Sequence, residues 1–121
     1  MIRGLRTVIY PVGDLAAGKR WYAQAFGIEP YFDEPYYVGF AVGGFELGLV
    51  PDGTPGAAGA LAYWGVADAK AAFAKFVELG AAEHEPPKDV GGGITVASVL
   101  DPFGNAIGLI ENPSFDPSKV G

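Results

Sequence analysis

The segment TVIYPVGDLAAGKRWYAQAFG, residues 7–27, decides the fold because its pattern recurs half a chain later. An apolar run is broken by Gly13-Asp14, a stretch with helical spacing follows from Leu15 to Phe26, and Gly27 ends that stretch. The segment LAYWGVADAKAAFAKFVELG, residues 61–80, repeats each of these steps. A repeat of this length indicates a duplicated supersecondary unit.

Both copies predict a strand followed by a helix. The aspartates that open the helical stretches, Asp14 and Asp68, can accept hydrogen bonds from free N–H groups of the first turn. Gly27 and Gly80 can adopt the left-handed conformation that ends a helix. We therefore predict helices over residues 15–26 and 69–79.

Three short strands are predicted after each helix. Turn sequences separate these strands, among them Gly43-Gly44 in the first half and Asp101-Pro102-Phe103-Gly104-Asn105 in the second. The predicted strands lie at 31–32, 36–42 and 45–50, and again at 82–85, 94–100 and 106–110, with the 82–85 strand ending at Pro86-Pro87. Each half is therefore a βαβββ unit, and the fold class is α+β.

The predicted organisation is one domain over residues 1–112. The first repeat covers residues 5–50, a Gly/Pro/Ala linker covers 51–59, and the second repeat covers 60–111. Residues 113–121 lack periodicity and are expected to form a C-terminal tail.

Composition excludes several classes of function. Half of the 121 residues are hydrophobic, enough for a core, and the absence of cysteine excludes disulfides and thiolate chemistry. The formal charge of −6 has the wrong sign for a phosphate backbone, so we expect no nucleic-acid partner. No run approaches the roughly 18 apolar residues of a membrane helix. We expect a cytoplasmic protein with no membrane partner.

The two βαβββ units, together with several short motifs, resemble the vicinal oxygen chelate superfamily, the glyoxalase, bleomycin-resistance and extradiol-dioxygenase group. The motifs are Trp21-Tyr22, Phe26-Gly27-Ile28, the Asp101–Asn105 turn and the closing Ile107-Gly108-Leu109-Ile110-Glu111. The resemblance covers about residues 5 to 112. It implies a curved, cup-like sheet of eight strands that holds a ligand on its concave face, often in a homodimer.

The resemblance also implies four metal-ligand positions, which hold His, Gln or Glu in the metal-using members. In this sequence these positions hold Thr7, Gly48, Leu61 and Gly108, none of which is a ligand of that type. Divalent metals need several imidazole or carboxylate donors that converge on one point. We therefore expect no metal cofactor and assign no catalytic residue.

Instead of a metal site, we predict an aromatic-lined pocket with one carboxylate on the concave face. Strand alternation places Glu46 on the same face as Gly48, and Tyr63 on the same face as Leu61, whereas Trp64 faces the helices. The two glycines are expected to leave an open floor. The predicted pocket residues are Thr7, Ile9, Tyr37, Glu46, Gly48, Leu61, Tyr63 and Gly108.

Neither His84 nor Ser98 is predicted to be a catalytic residue. His84, the only histidine, lies between Glu83 and Glu85 and is expected at the surface. Ser98 lacks the His–Asp partners of a serine hydrolase, because the chain has one histidine in all.

Three functions stay open from the sequence. The first is a non-metal protein that binds, and by binding sequesters, an aromatic or cationic small molecule, as the bleomycin-resistance type does. The second is a lyase, isomerase or dioxygenase that works without a metal or with one bound unconventionally through Glu46. The third is a structural or regulatory module whose cup is filled by its own side chains.

Overall fold

A computed structural model describes residues 5–56, 61–116 and 118 of the chain. These residues form two compact units with the boundary between Pro55 and Gly56. Each unit has the element order β-α-β-β-β, so the duplicated α+β organisation is confirmed. Residues 57–59 of the predicted linker, and 117 and 119–121 of the predicted tail, lie outside the described residues.

The first unit is a four-stranded sheet with one helix. The elements of this unit are β1 (Thr7–Pro11), α1 (Leu15–Phe26), β2 (Phe32–Glu34), β3 (Tyr37–Val42) and β4 (Phe45–Val50). Strand β1 pairs in parallel with β4, and the remaining pairs are antiparallel, which gives the order β1-β4-β3-β2.

The second unit repeats this topology. Its elements are β5 (Tyr63–Gly65), α2 (Ala69–Glu78), β6 (Ala82–Gly91), β7 (Ile94–Leu100) and β8 (Ala106–Glu111). Strand β5 pairs in parallel with β8 at one edge, and the order across the sheet is β5-β8-β7-β6. No helix among the residues described has the length and apolar character needed to cross a membrane.

The helix boundaries follow the capping residues. The Asp14 side chain accepts from the N–H of Ala17 at 3.1 Å, and the Asp68 side chain accepts from the N–H of Ala71 at 3.0 Å. Gly27 ends α1 with a φ of 69°, in the left-handed region where only glycine avoids a steric penalty. The signals read from the sequence are therefore confirmed at both helix starts and at the end of α1.

Strand β6 corrects the sequence prediction. The strand was predicted to end at Glu85, but it continues through Pro86 and Pro87 to Gly91. It lies at the edge of its sheet, where a proline without an N–H group removes no obligatory hydrogen bond. Two register shifts, one after Glu83 and one after Glu85, let the pairing resume beyond the prolines.

Each sheet buries the face that lies towards its own helix. In the first unit, Tyr22 of α1 is fully buried with Leu47 and Leu49 of β4, and the Tyr10 and Tyr22 rings stack at 5.8 Å. Phe73 and Phe76 of α2 are buried in the second unit, as are Ile107 and Leu109 of β8. Residues that alternate with these core residues lie on the opposite face, which we call the open face of each unit.

Candidate functional site

The open face of the first unit carries the Glu46 carboxylate, which is surrounded by hydroxyl groups. The Tyr37 hydroxyl donates to Glu46 Oε1 at 2.7 Å, and the Thr7 hydroxyl donates to the same oxygen at 3.3 Å. The Tyr31 hydroxyl donates to the other oxygen, Oε2. Three separate segments of the chain therefore hold this one side chain.

Strand register explains why these groups meet. Thr7 of β1 lies directly opposite Glu46 of β4, and Ala41 of β3 lies opposite it on the other side. Tyr31 precedes β2 and is anchored by its N–H, which donates to the carbonyl of Gly39 at 3.0 Å.

Two glycines beneath the tyrosine rings make this arrangement possible. A Cβ at Gly48 would lie 2.1 Å from the Tyr37 hydroxyl oxygen. A Cβ at Gly39 would lie 2.8 Å from Glu46 Oε2 and 3.2 Å from Tyr31 Cε1. The expected open floor at Gly48 is therefore absent, because Tyr37 occupies the space that the missing side chain leaves.

Hydrogen bonding sets the charge state of the site. The Tyr31 and Tyr37 hydroxyls, with a smaller contribution from Thr7, hold the pKa of Glu46 below its ordinary value against the opposing effect of partial burial. Partial burial and the bond to Glu46 raise the pKa of Tyr37 to about 12. The bond to Glu46 also raises the pKa of Tyr31. At neutral pH the site is an anion that accepts from neutral phenols.

The lowered pKa of Glu46 predicts a pH-dependent contribution to stability. The ordinary value is 4.5, so this contribution is fully present above about pH 4.5 and is lost as the pH falls through the lower, folded-state pKa. We expect the free energy of unfolding of the wild type, minus that of Glu46→Gln, to stay constant from pH 7 to 5 and to shrink below pH 4.5. Urea unfolding at each pH measures it, and a difference that grows in acid would contradict the assignment.

The second unit has an equivalent glycine, which is covered by a ring from a different strand. A Cβ at Gly108 would lie 2.6 Å from Tyr63 Cδ1 and 2.6 Å from the carbonyl oxygen of Ala62. Gly108 pairs with Tyr63 on one side and with Ser98 on the other. The floor predicted to be open is covered here too, in this case by the ring of a half-exposed tyrosine.

His84 and Ser98 form a contact that the sequence analysis did not predict. His84 lies at the register shift between Glu83 and Glu85, and its Nδ1 lies 2.9 Å from Ser98 Oγ. A bulge of this kind redirects a side chain across the sheet. His84 is exposed as expected, whereas Ser98 is only 1% exposed.

The predicted pocket residues separate into two groups. Thr7, Tyr37, Glu46 and Gly48 come together on the open face of the first unit, and Ile9 pairs with Gly48 beside them. In the second unit, Tyr63 and Gly108 are in contact, while Leu61 precedes β5 and is half-buried. Trp64, opposite Leu109 in the register, alternates onto the helix side as predicted.

Sequence reasoning missed Tyr31 and Gly39 as site residues. Gly39 had a usable signal, because it lies two residues after Tyr37 on the same strand and so shares its face. Tyr31 had none, because the strand predicted at 31–32 begins only at Phe32 in the structure, and alternation cannot place a residue outside the strand.

A protein-family model, the Glyoxalase/Bleomycin resistance protein/Dioxygenase superfamily, matches residues 4–109. The chain belongs to this superfamily. No curated protein matches the sequence.

Solved structures of superfamily proteins share the fold. A glyoxalase-related enzyme from Fulvimarina pelagi has a TM-score of 0.78 at 20% identity and covers 95% of this chain and 92% of its own. A glyoxalase/bleomycin resistance protein from Catenulispora acidiphila has a TM-score of 0.66 at 26% identity, covering 91% and 100%. A bleomycin resistance determinant encoded on the transposon Tn5 has a TM-score of 0.71 at 21% identity, covering 91% and 98%.

The side chains at the superfamily's four metal-ligand positions do not fit a divalent metal. Thr7 uses its hydroxyl at Glu46, Leu61 has no donor atom, and the space above Gly48 and Gly108 is filled by tyrosines. Within residues 5–56, 61–116 and 118, no three His, Cys, Asp or Glu side chains lie where they could hold a metal ion together. The donor set lacks the imidazoles and carboxylates that such metals require.

Proposed function

We propose that this superfamily member binds a small organic molecule without a metal, on the open face of the first unit, and acts by sequestering an aromatic or cationic compound. The observation that carries the proposal is the Glu46 carboxylate held by three hydroxyl donors beside exposed apolar side chains. A fixed polar group among apolar and aromatic side chains is the usual composition of a small-molecule site. A preordered side chain also loses little conformational entropy on binding.

Binding is favoured over catalysis by the acid–base properties of the site. A general acid or base works best when its pKa lies near the working pH. The pKa of Glu46 is lowered, and that of Tyr37 is raised to about 12, so both move away from neutrality. The carboxylate is therefore a weak base and the phenol a weak acid, which suits a receptor more than a catalyst.

An enzyme of the lyase, isomerase or dioxygenase type is the alternative function. The contact between His84 Nδ1 and Ser98 Oγ favours it, because imidazole is the commonest acid–base catalyst in enzymes. If that enzyme works without a metal, the reaction would depend on the second unit and would survive changes at Glu46. If it uses an unconventionally bound metal, Glu46 would hold the metal.

The two functions are separated by one set of measurements on the purified protein. We expect no stoichiometric iron, nickel, zinc or manganese after dialysis, and thermal stabilisation by at least one compound from a broad panel of aromatic and cationic molecules. Backbone NMR shifts should map that compound to the strands around Glu46, and Glu46→Ala should abolish the stabilisation. A tightly held metal that is lost in Glu46→Ala would refute the proposal, and so would a panel without a single binder.

The proposal includes a homodimer, because each sheet ends in strands with unpaired backbone groups that a second copy can cover. Light scattering on the same sample tests this part. A mass of 12.6 kDa that does not change on dilution would contradict it.

A further inference from the structure

Glu46 is an ionised carboxylate without a cationic partner among the residues described. The ion pair found among the described residues joins Lys19 to Asp33 at 2.8 Å. It does not involve Glu46. Every group that the structure places on Glu46 is a neutral hydroxyl. Neutral donors stabilise the charge but do not cancel it, so a positive group can still gain from approaching it.

The two oxygens of the Glu46 carboxylate differ in how many further hydrogen bonds they can accept. Oε1 accepts from both Tyr37 and Thr7, which occupy the two acceptor positions of a carboxylate oxygen. Oε2 accepts from Tyr31 alone, so one position is open. Tyr31, the group that covers Oε2, is 63% exposed, and Glu46 itself is only half-buried. A single N–H donor can therefore reach Oε2, whereas a fork that needs both oxygens cannot be accommodated.

We infer that the ligand is an organic ammonium ion that bears at least one N–H group, which it donates to Glu46 Oε2. This inference rests on the proposed function and names the class of compound that the site selects. The exposed rings of Tyr31 and Phe32 and the exposed side chain of Ile9 supply the apolar surface for the body of the ligand. Phe32 and Ile9 belong to the same cross-strand row of the open face, through Gly39 and Gly48. A cation over an aromatic ring gains further attraction from the ring quadrupole.

Tyr31 modulates the affinity of this site. Its hydroxyl takes one of the two acceptor positions of Oε2 and, as a donor, weakens the other position as an acceptor for the ligand. A quaternary ammonium ion carries the charge but has no N–H group, so it cannot form the hydrogen bond at Oε2. A neutral alcohol can donate a hydrogen bond but lacks the charge.

Three probes that share a benzyl group test the inference. Binding of each probe to the whole protein is measured by NMR titration. The probes are benzylamine, benzyl alcohol and benzyltrimethylammonium, at a pH where benzylamine is protonated. We expect benzylamine to bind at least tenfold more tightly than benzyl alcohol, a difference of about 1.4 kcal/mol. The quaternary ion should lie between them. The amide signals of Glu46 and Tyr31 should move on addition of benzylamine.

Two substitutions with matched controls sharpen the test. Glu46→Gln should weaken benzylamine at least tenfold and leave benzyl alcohol unchanged, whereas Glu78→Gln removes an equal charge from an exposed residue of α2 in the second unit and should alter neither. Tyr31→Phe should tighten benzylamine about threefold, because a competing hydrogen bond contributes about 1 kcal/mol or less. Tyr36→Phe removes the hydroxyl of another exposed tyrosine and should leave binding unchanged.

The results that overturn the inference are distinct from those that overturn the proposed function. Benzyl alcohol binding at these residues as tightly as benzylamine would exclude the ammonium class while leaving a small-molecule site in place. Equal binding of benzyltrimethylammonium would exclude the N–H requirement. Weaker benzylamine binding by Tyr31→Phe would show that the hydroxyl supports the ligand instead of competing with it. The broad compound panel judges the proposed function independently of all three probes.

Discussion

Replacing Gly108 by alanine should lower the free energy of unfolding by about 3 kcal/mol, near the upper end of the range for overpacking. The added Cβ would lie 2.6 Å from the carbonyl oxygen of Ala62, a backbone atom that cannot rotate away. That carbonyl also accepts from the Gly108 N–H at 2.9 Å, so moving it would weaken the pairing of β5 with β8. Leucine at this position should cost more. Chemical denaturation measures the effect, which corresponds to a fall in Tm of roughly 10 °C.

Two other glycines make the prediction specific. At Gly65, in β5, an added Cβ meets no atom within 4 Å, so Gly65→Ala should change stability little. At Gly48 the obstacle is the Tyr37 hydroxyl, the end of a flexible side chain, so Gly48→Ala should cost about 1 kcal/mol and chiefly displace Tyr37 from Glu46. Equal losses at Gly108 and Gly65 would contradict the packing described here.

Replacing Asp101 by alanine should cost about 3 kcal/mol by leaving buried backbone donors unpaired. The Asp101 carboxylate is 3% exposed and accepts from the N–H groups of Phe103 and Asn105 at 2.9 and 2.8 Å. Its second oxygen accepts from the Asn105 side-chain amide at 3.0 Å. Asn105 in turn accepts from the N–H of Gly56 at 3.0 Å, so the turn also holds the start of the second unit.

An exposed aspartate with a similar local bond is the control. Asp89 accepts from the N–H of Gly91 at 2.8 Å at the exposed end of the edge strand β6, where water can replace it. Asp89→Ala should therefore cost less than about 0.5 kcal/mol. Asp101→Asn keeps an acceptor for the backbone and should fall between the two. Thermal and urea unfolding of the three variants, compared with wild type, would refute the assignment if Asp101→Ala and Asp89→Ala behaved alike.

The fold could be predicted largely from local signals. The caps at Asp14 and Asp68 and the glycine at position 27 act within one turn of helix, so they are visible in the sequence and agree with the structure. The prediction was wrong at β6, where proline was expected to stop the strand. Whether a proline interrupts a strand depends on its place in the sheet, and that is a property of the assembled unit.

The site could be predicted only in part. The predicted pocket included Thr7, Tyr37 and Glu46, and the structure brings their side chains into contact. Alternation could not tell whether the missing side chain of Gly48 leaves open space or admits another ring. That choice depends on the rotamer of Tyr37 and on the register between β3 and β4.

The sequence by itself determined the duplication, three of the four helix boundaries and the absence of metal-binding residue types at the superfamily's ligand positions. These features depend on residue identity and on contacts between near neighbours in the chain. Only the tertiary structure decided that Tyr31 reaches Glu46, that Tyr37 and Tyr63 cover the two glycines, and that His84 meets Ser98. These contacts depend on strand pairing and side-chain packing. Cross-strand register and bulges bring together groups that are far apart in the chain, and no local sequence pattern links them.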